Sequence, residues 1–455
     1  MTQQTTQEAA YLAAFDAAER NGASSDPAWL RELRGEAIAE FARVGFPTAR
    51  RGNEPWKYTN IGPLASTAFA LPEHDAAPLA AGIDLTRYEL PCPRVHQLVF
   101  VDGQYVAALS TDPPSEGERT SNVFFERGDG PVVGRLSEAA HYGVPLVREH
   151  LAKHVGAAAG AFASLNTAFV RDGAYVAIPD GVTVPEPIYL LFISTGRPEP
   201  VVTYPRVLIV AGRDSKATVL QSFESLGDGA YFTDAVTEVV AGPGASLRYF
   251  TLQRESAAAY HVATTQVTQA RDSSVSSVTV DLGGRLVRHD LNVLLGEAGA
   301  SASLGGLYIG RGARHIDTHT FVDHAVPETS SNAVYKGILD DESRGVFVGH
   351  VLVRPDAQHT VAHQVNKNLL LSAGAEADTQ PKLEIFADDV TCTHGAAVGQ
   401  LDQAALFYLK SRGIGEAAAR GLMVHGFVRE VIDSISDGAV RQYTDEAVMA
   451  ALDVR

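Results

Sequence analysis

The sequence predicts a mainly β protein with helices at both ends and a repetitive β body between them. Three observations carry this expectation. Short β-branched runs recur from about Phe162 to Val390, each followed by a small-residue turn and another run, as in TEVVAGPGASLRYFTL and GILDDESRGVFVGHVLV. Aligning the turns on Ala217, Ala245, Val275, Ala300, Gly345 and Ala375 gives steps of 28, 30, 25, 45 and 30 residues, spacings that suggest a solenoid. The two ends instead carry apolar residues at helical spacing, bounded by capping residues and glycine stops. The step of 45 residues reads as an insertion at one corner. An antiparallel sandwich needs the same short strands and turn glycines, so propensity leaves stacked rungs and hairpins both open.

Taken in order, TQEAAYLAAFDAAERNG predicts a first helix with a glycine stop. Pro27 is expected at the first helical position of the next, AWLRELRGEAIAEFARVG. A polar arm, FPTARRGNEPWKYTN, follows, with Trp56 and Tyr58 expected to pack it on the body. Signals are mixed from Leu71 to about Leu151, where VFVDGQYV reads as a hairpin around Asp102-Gly103. Beyond the β body, Asp402 is placed to cap DQAALFYLKSRG. EAAARGLMVHGFVREVIDSI puts Leu422, Phe427, Val431 and Ile435 near one face, and Thr444 is expected to cap a last helix, TDEAVMAALDVR. The expected division is 1–160 helical and mixed, 161–400 β core, and 401–455 helical.

Composition narrows the function classes. The 455 residues, 45% of them hydrophobic, exceed one ordinary core and suit several domains or one elongated repeat body. The 54 acidic against 37 basic residues leave a net charge of −17, which argues against a general nucleic-acid binder. No apolar run approaches a membrane span, and MTQQTTQEAAYLAAF lacks the basic and apolar regions of a secretory signal, so a cytoplasmic protein is expected. Two cysteines, Cys92 and Cys392, make no disulfide framework and no closed cysteine-rich zinc site. There is no GxxxxGK[ST], HExxH or GxSxG, so no P-loop, zincin or serine-hydrolase chemistry is expected.

The chemistry that remains gathers in TQPKLEIFADDVTCTHGAAVGQLD, residues 379–402. Cys392 and His394 are two apart, and on a strand such residues share a face. Thiol and imidazole are both ligands for soft metals, although a free cysteine is equally at home as a small buried apolar residue. Nine of the 15 histidines fall between His261 and His394. In GRGARHIDTHTFVDHA, Asp317 shares strand parity with His315 and His319, with His324 beyond. Hydrogen-bonded ladders explain such a group as well as metal binding does, and no metal site is assigned to it.

The run KLEIFADDVTCTHGAAVGQLDQAALFYLKSRGI resembles the C-terminal signature of the SufB/SufD family of iron–sulfur cluster assembly proteins. NKNLLLSAGAEADTQP and the N-terminal NEPWKYTNIGPL belong to the same signature. His394-Gly395-Ala396-Ala397 is most similar to the SufD branch, since the SufB branch usually reads His-Glu-Ala-Thr; Ala397 departs from the family's common threonine. The resemblance implies a central right-handed parallel β-helix, and so chooses stacked rungs over hairpins. It implies a non-catalytic scaffold on which a transient iron–sulfur cluster or iron is held at a joint between subunits, with Cys392 and His394 as candidate ligands. It further implies a heterodimer with a SufB-like paralogue and docking of the SufC-like ATPase on roughly Leu406–Ile435. Nucleotide would then be bound by that partner and not by this chain. Edge strands at a solenoid end pair readily, which leaves a homodimer open when the chain is alone. The alternatives are a SufB-type cluster carrier, disfavoured by two cysteines, and a β-helix polysaccharide-active enzyme, for which no stretch singles out paired carboxylates.

Overall fold

The computed structural model describes residues 6–22, 26–49, 53–72, 82–111, 130–155 and 160–452. Helices Thr6–Gly22 (α1) and Ala28–Val44 (α2) open the chain. Pro27 stands one position earlier than the sequence suggested, as the N-cap, with its carbonyl accepting from Leu30 and Arg31. A nitrogen without a hydrogen loses nothing at either position. His96–Val101 (β1) and Gln104–Tyr105 (β2) form the expected hairpin. Asp102 and Gly103 both have positive φ, 46° and 79°, as the tightest hairpin turn requires.

Helix Gly160–Ala168 (α3) leads into the β body. Its early strands are Val132–Arg135 (β3), Gly173–Ile178 (β4), Ile188–Ser194 (β5), Val202–Thr203 (β6) and Arg206–Ala211 (β7). Longer rungs follow at Lys216–Ser225 (β8), Phe232–Ala241 (β9), Ser246–Arg254 (β10), Tyr260–Gln269 (β11), Ser274–Asp281 (β12) and Leu286–Leu295 (β13). The series closes with Ser301–Gly310 (β14), His315–His324 (β15), Ser330–Leu339 (β16), Arg344–Val353 (β17), Val361–Leu370 (β18), Glu376–Ile385 (β19) and Thr391–Gly399 (β20).

Pairing settles what propensity left open. Consecutive rungs do not pair with each other. From β7 onward each long strand pairs in parallel with the strand two positions away, so even-numbered rungs build one sheet and odd-numbered rungs the other. The chain therefore coils as a parallel solenoid of two ten-stranded sheets. Ala217, Leu247, Val275, Ala302, Ser331, Ala362 and Cys392 occupy one column, a repeat of 27 to 31 residues per coil. The 45-residue step is not an insertion: Ala300 precedes β14 in one sheet whereas Gly345 lies on β17 in the other, one and a half coils on. Asp214, Asp272 and Asp341 take the left-handed conformation (φ 54–57°) at corners between rungs, where a short polar side chain tolerates it.

The three largest cores hold the body together. Inward side chains of both sheets, such as Val219, Val267, Val293 and Phe347, fill the lumen. The outer face of the even-numbered sheet buries Leu220, Phe250, Val278 and Ile338 beneath the C-terminal helices. Those helices are Gln403–Ser411 (α4), Glu416–Ile432 (α5) and Gly438–Ala451 (α6). The outer face of the odd-numbered sheet receives α1, α2 and α3 through Tyr11, Phe41, Phe162 and Phe232. Asp402 caps α4 as expected, accepting from Ala404 and Ala405. Thr444 does not cap a helix. Asp437 starts α6 seven residues earlier, and the Thr444 hydroxyl bonds the Val440 carbonyl inside it. The anticipated apolar face of α5 also divides: Val431 and Ile435 are buried with Val424 and Val428, whereas Leu422 is 53% exposed.

Candidate functional site: the open final rung

Strand β20 is the last of the even-numbered sheet, and β19 is the last of the odd-numbered one. Ala362 aligns with Cys392 and Gln364 with His394. Ala362 and Gln364 are luminal and buried, so the strand period places Cys392 and His394 over the lumen too. Cys392 packs against the luminal core and is half-buried, whereas His394 is exposed, with no further rung over it among the described residues. The expected shared face therefore exists. It looks along the solenoid axis into the open mouth rather than sideways from a wall.

Burial raises the Cys392 thiol above its ordinary value, with the Ala362 backbone opposing only weakly. A thiolate at this position would need a metal or a charge from outside the rung. On the outer face Thr393 bonds His363 at 2.7 Å, and at the neighbouring corner His359 pairs with Asp389 at 3.0 Å. Around the mouth Phe386, Val398 and Ile385 are 64%, 45% and 39% exposed. Beside them run the unpaired edges of both terminal strands. Cys92, the other cysteine, sits far back in the chain and its sulfur bonds the Arg94 carbonyl.

The histidine group resolves differently. His315, Asp317 and His319 share a face, as parity requires, but that face is covered by the N-terminal arm. Thr59, fully buried, hydrogen-bonds the Asp317 carboxylate and meets His315 Nε2 at 2.8 Å. Arg288 reaches Asp317 at 2.6 Å and the Pro55 carbonyl at 2.7 Å while lying 4.3 Å over the Trp56 ring. Burial would raise the Asp317 carboxyl, but Arg288 and His319 overcome it and hold it well below the usual range. His324 points the other way, into the lumen between Thr329 and Ser331, and burial pushes its imidazole down to about 4. Among the described residues no group of three or more His, Cys, Asp or Glu side chains is arranged to hold a metal.

Two features were missed in the sequence. Gln364 and Thr379 lie on the luminal face just inside the mouth; the coil period was the signal that would have linked Gln364 to His394. Phe407 and Tyr408 on α4 are 73% and 56% exposed and, with Leu422, leave an apolar patch on the helical end. Nothing in a helical pattern distinguishes such a face from a core face.

A parallel solenoid with helical ends thus carries a thiol and an imidazole together on its last rung. The family model described as "SUF system FeS cluster assembly, SufBD core domain" matches residues 192–427, and that described as "SufBD protein N-terminal region" matches residues 5–190. The chain belongs to the SufB/SufD family of iron–sulfur cluster assembly proteins. It is 32% identical to an iron–sulfur cluster assembly SufBD family protein of Synechocystis, over 84% of this chain and 83% of that one. It is 29% identical to the iron–sulfur cluster assembly protein SufD of Escherichia coli, over 89% of each. SufD of Bacillus subtilis is 25% identical over 92% of each chain. Among the described residues no helix is long and apolar enough to cross a membrane.

Proposed function

We propose that this chain is the SufD-like subunit of an assembly scaffold for nascent iron–sulfur clusters, acting with a SufB-like paralogue and a SufC-like ATPase. The observation that carries the reading is the final rung. Cys392 and His394 face the lumen mouth between two bare strand edges of nine and ten residues. Unpaired edges of this length add a partner's strands readily, and the exposed Phe386, Ile385 and Val398 supply apolar area beside them. A SufB-like subunit seated end to end would close the mouth and bring its own ligands to these two. The same edges would pair two copies of this chain when the paralogue is absent.

In this arrangement iron and sulfide are substrates. His394 binds iron through a deprotonated ring nitrogen, and Cys392 releases its proton when its sulfur meets the metal. Two ligands leave most of the coordination to the partner, so the lone chain should not retain a cluster. Phe407, Tyr408 and Leu422 form the docking patch for the ATPase, which supplies the nucleotide energy. Movement of α5 would pass to the solenoid through Lys336. This side chain, 5% exposed, donates to the Phe427 carbonyl at 2.7 Å and pairs with Glu430 on that helix. The scaffold itself would carry out no catalytic step.

The test is anaerobic reconstitution of the three-component complex with His394→Ala. Cluster yield should fall while the complex stays assembled in size-exclusion mass measurements. Unchanged yield would remove His394 from the site, and failure of the wild-type chain to co-purify with either partner would sink the scaffold reading.

A further inference from the structure

We propose that Gln364, assisted by Thr379, donates hydrogen bonds to a sulfide sulfur of the cargo held at the Cys392–His394 rung; this rests on the function proposed above. Gln364 stands one coil beneath His394 in the same luminal column and is 1% exposed, yet its amide Nε2 has no hydrogen-bond partner among the described residues. Thr379 lies on the luminal face of the last rung of the other sheet, in register with Phe347, and its hydroxyl is buried and also unpartnered among the described residues. Two other luminal glutamines use their amide nitrogens. Gln253 donates to Glu255 at 3.0 Å, and Gln269 donates to the Ser301 carbonyl at 2.9 Å. Gln364 Nε2 and Thr379 Oγ1 are the orphaned luminal donors nearest the mouth, and another, Thr318 Oγ1, lies two rungs deeper in the Thr379 column.

The lumen also makes room for this amide. Gly349 lies opposite, and any Cβ there would collide with the Gln364 side chain. A buried donor without a partner is unfavourable, so an isolated chain gains nothing by keeping it. An amide N–H can only donate, which selects an electron-rich acceptor and rejects a cation. Sulfide arriving between Cys392 and His394 is such an acceptor, and hydrogen bonds to cluster sulfurs are an established lever on cluster stability and potential. Gln364 and Thr379 would position the sulfur while Cys392, His394 and the partner hold the metal.

The experiment loads the assembled complex anaerobically with ferrous iron and sodium sulfide, desalts it, and measures retained acid-labile sulfide. Thermal unfolding of the isolated full chain is measured alongside. Gln364→Met should melt at or above the wild-type temperature, because no partner is lost, while retained sulfide falls roughly tenfold or more. Gln364→Glu should retain still less, since a carboxylate repels sulfide. A lower melting temperature for Gln364→Met would make the residue structural and overturn the proposal. So would wild-type retention in that variant, or greater retention with glutamate, which would indicate a cation in the recess. A wild-type complex that keeps no sulfide at all fails at the earlier step and refutes the functional reading, and this inference with it.

Discussion

Arg288→Met tests how the N-terminal arm is fastened over the histidine-rich face. The Arg288 and Asp317 side chains are 2% and 1% exposed, 2.6 Å apart, so the substitution leaves a carboxylate buried beside Thr59 with its main counter-charge gone. Removing one member of such a pair costs about 3–5 kcal/mol. The bond to Asp290, which is 26% exposed, adds little, and the stacking on Trp56 adds about 1 kcal/mol. The expected loss is therefore about 4 kcal/mol, read from urea unfolding at neutral pH. Hydrogen exchange should rise at residues 53–60, whose Pro55 carbonyl and Trp56 ring lose their anchor.

The pH dependence gives a second check. In the wild type the Asp317 carboxyl is depressed, so its contribution is fully present above the unfolded value of about 3.9 and is lost as pH falls toward the lower native value. Without Arg288, burial drives that carboxyl upward and it is most harmful when ionised. The gap between variant and wild type should be widest at neutral pH and narrow below about pH 4. Adding Asp317→Asn should restore most of the loss. A deficit under about 1 kcal/mol, or a double variant no better than the single one, would refute a buried charge pair as the fastening.

Three further outcomes are expected. Lys336→Met should cost the isolated chain about 1–2 kcal/mol, since Glu430 is half exposed, but it should lower cluster yield in the complex without releasing the ATPase; yield equal to wild type would show that this contact carries no motion. Replacing both Phe407 and Tyr408 with Ser should abolish ATPase co-purification while the melting temperature of the isolated chain stays put, because both rings are already exposed. Asp402→Ala should destabilise the start of α4 by about 1 kcal/mol, seen as faster exchange at Ala404 and Ala405 with the solenoid unaffected.

Much of this architecture could be read from local pattern. The β-branched runs, the Asp102-Gly103 turn and the Asp402 cap each follow from steric and hydrogen-bonding preferences acting over a few residues. Parity alone put Cys392 beside His394 and put His315, Asp317 and His319 on one face. Errors arose where a local signal competed with a longer-range one. Thr444 has the right chemistry for a cap, but Asp437 starts the helix earlier and Val440, Ala447 and Val448 bury it as one piece. The step of 45 residues looked irregular because the aligned turns belonged to two sheets, and strand propensity does not say which sheet a strand joins.

By itself, then, the chain order specified strands, turns, caps and side-chain parity, together with a family signature. Only the coiled structure decided which of two opposite faces meets the lumen, that β20 has no further rung over it among the described residues, and that Thr59 closes over Asp317 from more than 250 residues away. The physical reason is distance along the chain. A strand's period is set by its own backbone, but the neighbour that buries it lies a full coil away, where spacing no longer constrains it and packing does.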